Sequence, residues 1–158
     1  MLKRVKSLPE DSDLIESPSH YVEGRGIEPI ELIENWGLCH HLACVIKYIA
    51  RFGRKHDALR DLKKAQWYLM REKKICESLT SKCPQNRSEV LFTSSEVSSD
   101  WDLNPNLQKV LKYIEGAIGS LILKERVDYL LLASAYLKKA ITLEEESLTI
   151  NQQEGKKS

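Results

Sequence analysis

The sequence predicts an all-α protein: two helical hairpins plus a short N-terminal helix, with a flexible Ser-rich linker between the hairpins. Three observations predict it. Apolar residues recur at helical spacing in Leu42, Val45, Ile46, Ile49 and Phe52, then in Ala58, Leu62, Ala65 and Leu69. The same spacing returns in Leu107, Val110, Leu111, Ile114, Ile118 and Leu121, and in Val127, Leu130, Leu131, Ser134, Leu137 and Ile141. Helix punctuation separates these runs: Gly53 breaks the first pair, and Asn104 with Pro105 offers an N-cap followed by proline in the first turn. Between the pairs, Ser78 to Asp100 is rich in Ser and Thr, holds Pro84 and Asn86, and is interrupted only by Val90, Leu91 and Phe92.

Taken in order, residues 1–17 mix charges of both signs without a period and are expected to be a mobile arm. The first helical unit is expected over 18–77. Pro18, Gly24 and Gly26 make His20 and Tyr21 loop residues at its entrance, the kind of place where binding residues gather. Glu28 and Pro29 open a short helix that ends at Gly37, and two antiparallel helices joined at FGRKHD follow. The linker, 78–103, is long for a connection inside a compact domain, so a separate unit is expected after it. That unit is the C-terminal hairpin, 104–148, with a helix to about Lys124, another from about Glu125 to Glu146, and a frayed polar tail over 149–158. Gly116 and Gly119 weaken the third helix but admit close approach of another backbone.

A chain of 158 residues can bury one ordinary core, or two small ones in contact. Its net charge of +1 supplies no long-range argument for nucleic acid or an anionic membrane. Locally the balance differs: Lys47 to Lys74 holds ten Lys or Arg against three Asp or Glu, and Glu144 to Glu146 is acidic. Cys39, Cys44, Cys76 and Cys83 form no C-x-x-C pair, and no apolar run has signal-peptide or membrane-span length. Reduced thiols, a cytoplasmic location and no membrane partner are expected.

An internal echo links the halves. V-I-K-Y-I at Val45 to Ile49 recurs as V-L-K-Y-I at Val110 to Ile114, and A-Q-W-Y-L at Ala65 to Leu69 as A-S-A-Y-L at Ala133 to Leu137, at offsets of 65 and 68. The second pair is then a degenerate copy packed on the first as a built-in partner, with Tyr48 matching Tyr113 and Tyr68 matching Tyr136. The copy has lost Arg51, Lys55, Asp61 and Lys64, which confines any site to the first half.

Lys47 and Arg51 lie one turn apart and project together, so they suit a phosphate, the guanidinium gripping two oxygens and the ammonium acting as a point charge. Lys55 stands at the hairpin tip, and Lys64 with Asp61 faces back from the next helix. A solvated helical face is the competing reading. Glu28, Glu31 and Glu34, with Asp57 and Asp61, are candidate Mg²⁺ ligands, against which stands a wet helix side with acids near its N-terminus. Cys39, His40, His41 and Cys44 are zinc-type residues, but adjacent histidines diverge by about 100° on a helix, and no metal site is assigned there. The chain contains no G-x-x-x-x-G-K-[ST], G-x-G-x-x-G or G-x-S-x-G, which excludes a conventional P-loop kinase.

Four ordered blocks, S-P-S-H-Y at Ser17 to Tyr21, G-I-E-P-I-E-L-I at Gly26 to Ile33, K-Y-I-A-R-F-G-R-K at Lys47 to Lys55 and D-L-K-K-A-Q-W-Y-L at Asp61 to Leu69, carry a resemblance. Over about residues 15 to 75 the chain resembles a phage-borne helical family, mostly of unknown function, that includes a nucleotide kinase lacking a P-loop. The resemblance implies phosphoryl transfer from ATP or another nucleoside triphosphate to a deoxynucleoside monophosphate in a homo-oligomer, Mg²⁺ being undecided. It singles out His20, Tyr21, Glu28, Lys47, Tyr48, Arg51, Lys55, Asp61, Lys64 and Tyr68. Lys47, Arg51 and Lys55 are assigned to phosphates, His20 or Asp61 to proton handling, and Tyr21 or Tyr68 to stacking on a base. The family usually has a Gly-Asn pair just before the K-Y-I block where this chain has Ala43 and Cys44, which leaves a catalytically lapsed nucleotide binder as open as a kinase. Two other readings stand beside it: an all-α Mg²⁺-dependent nucleoside triphosphate pyrophosphohydrolase, and a non-enzymatic oligomeric protein whose basic face binds nucleic acid, the less favoured partner.

Overall fold

In the computed structural model, which describes residues 15, 18–54, 57–79 and 90–157, the chain is all-α and the described residues contain no strand. The helices are α1 (Ser19–Val22), α2 (Pro29–Asn35), α3 (His40–Arg51), α4 (Ala58–Ser78), α5 (Ser94–Asp100), α6 (Pro105–Gly119) and α7 (Leu123–Gly155).

Local chemistry sets most boundaries. His20 and Tyr21, expected in a loop, instead lie in the single turn of α1, where the Tyr21 N–H donates to the Pro18 carbonyl at 2.8 Å. In α2, Pro29 occupies the first turn and Glu31 reaches back to accept from the Glu28 N–H at 2.8 Å. Gly53, at φ 74°, turns the chain after α3, a conformation that costs glycine nothing. Asp57 then caps α4 by accepting from the Arg60 N–H at 3.1 Å.

The expected linker over 78–103 needs correction across 90–103; residues 80–89 lie outside the described residues. Thr93 and Glu96 form a capping box that starts α5, and their hydrogen bonds pull the Glu96 carboxyl below its ordinary pKa. Val97, Trp101 and Leu103 then enter the core. The Trp101 ring nitrogen donates to the Ile27 carbonyl and that of Trp36 to the Phe92 carbonyl, both at 2.8 Å. Asp100 accepts from the Gly26 and Ile27 N–H groups at 2.9 Å each. This segment ties the loop before α2 to the rest of the molecule, and its Ser-rich composition hid a capped, buried turn.

The second hairpin begins as expected, with Asn104 accepting from the Leu107 N–H at 3.0 Å. Helix α6 stops at Gly119, short of Lys124, because the chain turns extended at Ser120. Helix α7 overruns the expected end near Glu146 and absorbs most of the 149–158 tail. Between Leu123 and Glu154 it meets neither glycine nor proline, so nothing interrupts a run of about 50 Å.

The hairpins share one core. Helix α3 packs on α4, α4 on α7 and α7 on α6, so the second hairpin does not stand apart behind the linker as expected. Leu42, Val45, Ile46, Ile49, Leu62, Ala65 and Leu69 are fully buried, as are Leu107, Val110, Leu111, Ile114, Leu130, Ala133 and Leu137 at the echoed positions. Each buried Leu or Ile contributes about 1.5–3 kcal/mol relative to exposure. Helices α4 and α7 are antiparallel: Lys63 meets Glu145 at 2.7 Å, Gln66 donates to the Ser134 hydroxyl at 2.7 Å, and Glu72 meets Arg126 at 3.5 Å. The offset of 68 maps Gln66 onto Ser134, so that hydrogen bond joins a position to its own echo, as contacts on a two-fold axis do. At Gly116 the close neighbour is the Tyr129 ring, 2.8 Å from where a Cβ would stand, and not the expected backbone.

Candidate functional site

Helix α3 carries Cys44, Lys47, Tyr48 and Arg51 along one flank because they lie at successive three- and four-residue steps, and α4 answers with Asp61, Lys64 and Tyr68. The buried stripes of the two helices fix these flanks side by side. Tyr48, 8% exposed, stacks on Tyr68 with ring centroids 6.0 Å apart and planes at 21°. Three cations gather on the Tyr48 ring: Lys47 Nζ at 4.7 Å, Lys64 Nζ at 5.5 Å and the Arg51 guanidinium at 5.7 Å from its centroid. The ring's negative face offsets part of their mutual repulsion.

One acid answers them. Asp61, 3% exposed, lies with Oδ2 3.4 Å from Arg51 Nε, yet that buried Nε makes no hydrogen bond. Among the described residues neither Lys47 nor Lys64 has an ion-pair partner. The cluster therefore carries uncompensated positive charge on a half-buried aromatic floor, an arrangement suited to an anion with several oxygens.

Beside the cluster lies a concavity of about 410 Å³ lined by Tyr21, Glu28, Ile33, His40, Cys44 and Lys47 among others, within the size range of small-molecule sites. Lys47 belongs to both the concavity and the cationic cluster, and so joins them. Ala43 and Cys44, where the resembled family has Gly-Asn, form part of the wall. Cys44 Sγ is 3.8 Å from His40 Nε2, and Cys44 is the first cause, ahead of burial, that pushes the Tyr68 phenol above its ordinary pKa. A larger concavity of about 480 Å³ at α5 and α6 is lined by serines, Asp102, Leu103, Gln108, Lys109 and Lys112; it contains no aromatic ring to stack a base.

Of the residues singled out from the sequence, the structure brings together Tyr21, Glu28 and Lys47 at the concavity and Lys47, Tyr48, Arg51, Asp61, Lys64 and Tyr68 at the cluster. Lys55 lies outside the described residues, as does the side chain of His20. Asp61, engaged with Arg51, is poorly placed to take a proton. The Mg²⁺ alternative needs correction: Glu28, Glu31, Glu34, Asp57 and Asp61 do not converge, since Glu28 and Glu31 cap α2, Asp57 caps α4 and Asp61 pairs with Arg51. No helix among the described residues is long and apolar enough to cross a membrane.

Sequence reasoning missed Glu72. It is 6% exposed, its Oε2 lies 3.2 Å from His41 Nδ1, and its Oε1 lies 3.5 Å from Arg126 Nη2. The signal was present: Leu62, Ala65, Leu69 and Cys76 are the buried stripe of α4, and Glu72 falls on it. An acid on an apolar stripe calls for partners from neighbouring helices.

Residues 15–70 match the profile of a family described as protein of unknown function (DUF3310). The match spans α1 to the middle of α4, which contains the cationic cluster, and stops before the second hairpin. The chain matches no curated protein and no solved structure.

Proposed function

We propose that the first hairpin binds a nucleotide, with its phosphates on Lys47, Arg51 and Lys64 and its base in the adjoining concavity beside Tyr21. The observation that supports this reading is the gathering of three cations on Tyr48 with a single acid among them. A phosphate would give the Lys47 and Lys64 ammonium groups the ion-pair partner that neither has among the described residues. The reaction class proposed is transfer of a phosphoryl group from ATP to a deoxynucleoside monophosphate, in which positioning and charge neutralisation supply most of the catalysis. Because Asp61 is tied to Arg51, and Ala43 and Cys44 stand on the pocket wall, a nucleotide binder without turnover is the form of the proposal that asks least of the site.

The test is incubation of the purified protein with each deoxynucleoside monophosphate plus ATP, with and without Mg²⁺, followed by chromatography and by calorimetric titration of the same nucleotides. Diphosphate formation establishes the kinase. Binding without turnover establishes the lapsed form, and absence of both heat and product removes the reading. Self-association is proposed through Leu143, Leu148 and Ile150, which the far end of α7 leaves exposed; light scattering that returns the monomer mass removes it.

A further inference from the structure

We propose that Cys39, His41 and Glu72 form a binding site for a zinc-class divalent ion, separate from the nucleotide site. One ligand atom from each residue lies within 4.8 Å of the other two, and among the described residues this is the one group of that kind. A thiolate, an imidazole and a carboxylate are the mixed sulfur, nitrogen and oxygen set that zinc accepts in tetrahedral sites, whereas Mg²⁺ and Ca²⁺ take oxygen. Metal–ligand bonds of 2.0–2.3 Å place neighbouring ligands about 3.5 Å apart. The pair His41 Nδ1 and Glu72 Oε2, at 3.2 Å, already has that spacing, and the Cys39 Sγ lies within 4.8 Å of both.

The fold prepares the set. Cys39 is the extended residue that precedes α3, with its carbonyl accepting from the Ala43 N–H at 2.9 Å, so its side chain and that of His41 leave the same end of the helix. His40 turns away toward Cys44, which removes the difficulty that adjacent histidines posed in the sequence. Glu72 comes from the body of α4. Its Oε1 is engaged by Arg126 from α7 at 3.5 Å and by the Cys76 thiol, which donates at 3.6 Å, and this leaves Oε2 turned toward His41. Such outer partners are what orient a carboxylate ligand. Cys76 is thereby occupied with the far oxygen, and the fourth coordination position falls to water. On binding, the ion takes the place of the Cys39 thiol proton, which leaves to solvent, while the neutral His41 imidazole binds through Nδ1 and carries its proton on Nε2, with no change of oxidation state.

The test uses the full chain, stripped with a chelator and titrated with Co²⁺. Saturation at about one ion per chain is expected, with tetrahedral visible bands and a near-ultraviolet thiolate-to-cobalt band, both bleached by Zn²⁺. Cys39→Ser removes the near-ultraviolet band, His41→Gln weakens Co²⁺ binding at least about 10-fold, and Cys76→Ser leaves the band intact. Zn²⁺ raises the melting temperature of the parent protein and not of Cys39→Ser, whose helicity by circular dichroism stays that of the parent. Absence of the sulfur band, or its survival in Cys39→Ser, overturns the proposal. No nucleotide enters the experiment, so its outcome is independent of the phosphate site.

Discussion

The two hairpins solve the same packing problem with different surfaces. In the first, Tyr48 stacks on Tyr68; in the second, Tyr113 stacks on Tyr136, with centroids 5.6 Å apart and planes at 25°. The buried stripes match position for position. Around the tyrosines the likeness ends: three cations sit on Tyr48, while Lys139 alone sits on Tyr136. At the echoes of Arg51 and Asp61 stand Gly116 and Tyr129, which replace an ion pair with a ring lying against a bare backbone, and the echo of Lys64 is Leu132. The second hairpin keeps Lys112 at the echo of Lys47 but folds without the other charges. Folding alone therefore does not account for Arg51 and Lys64 in the first, and ligand binding is the reason we propose.

The largest expected effect tests whether the stripes are equivalent. Leu62→Ala and Leu130→Ala, both fully buried, should each lower stability by about 2–5 kcal/mol and by similar amounts in urea denaturation. A loss confined to one hairpin breaks the equivalence. Next comes the functional asymmetry: Lys47→Gln and Lys64→Gln should each weaken nucleotide affinity by about 10- to 100-fold, at about 1.5–3 kcal/mol for each bond to a charged group. Lys112→Gln with Lys139→Gln should leave it unchanged, and equal losses would dissolve the contrast. Arg51→Ala is a poorer probe because it leaves the buried Asp61 carboxylate unpaired, so any loss of binding arrives mixed with a loss of stability. The smallest effect concerns the substituted ion pair. Gly116→Ala should destabilise by about 1 kcal/mol, as overpacking against Tyr129 outweighs the gain in helix propensity. In a Tyr129→Ala background the sign should reverse, and thermal melts of the four proteins would show it.

The cationic cluster was legible because its members lie on one helix or on the next across a tight turn, where periodicity alone places them. The capping of α4 by Asp57 and the start of α6 at Asn104 were legible for the same reason. Composition misled at α5, where serines suggested a linker, because the information there sits in Thr93, Glu96, Val97 and Trp101 and in what the tryptophan meets 74 residues away. Glu28, Glu31, Asp57 and Asp61 misled in the opposite direction. Carboxylates that look available for a metal in the sequence are engaged with their own helix ends or with Arg51.

The sequence by itself determined the five helices other than α1 and α5, their buried stripes, the echo between hairpins and the flank on which the cations project, since each depends on neighbours within a turn or two of chain. Only the tertiary structure decided that α7 lies antiparallel on α4, that Gln66 meets its own echo at Ser134, and that Cys39, His41 and Glu72 come within reach of one ion. Those arrangements join residues 31 to 82 positions apart, and they follow from which stripe packs on which, a choice made by the whole core at once.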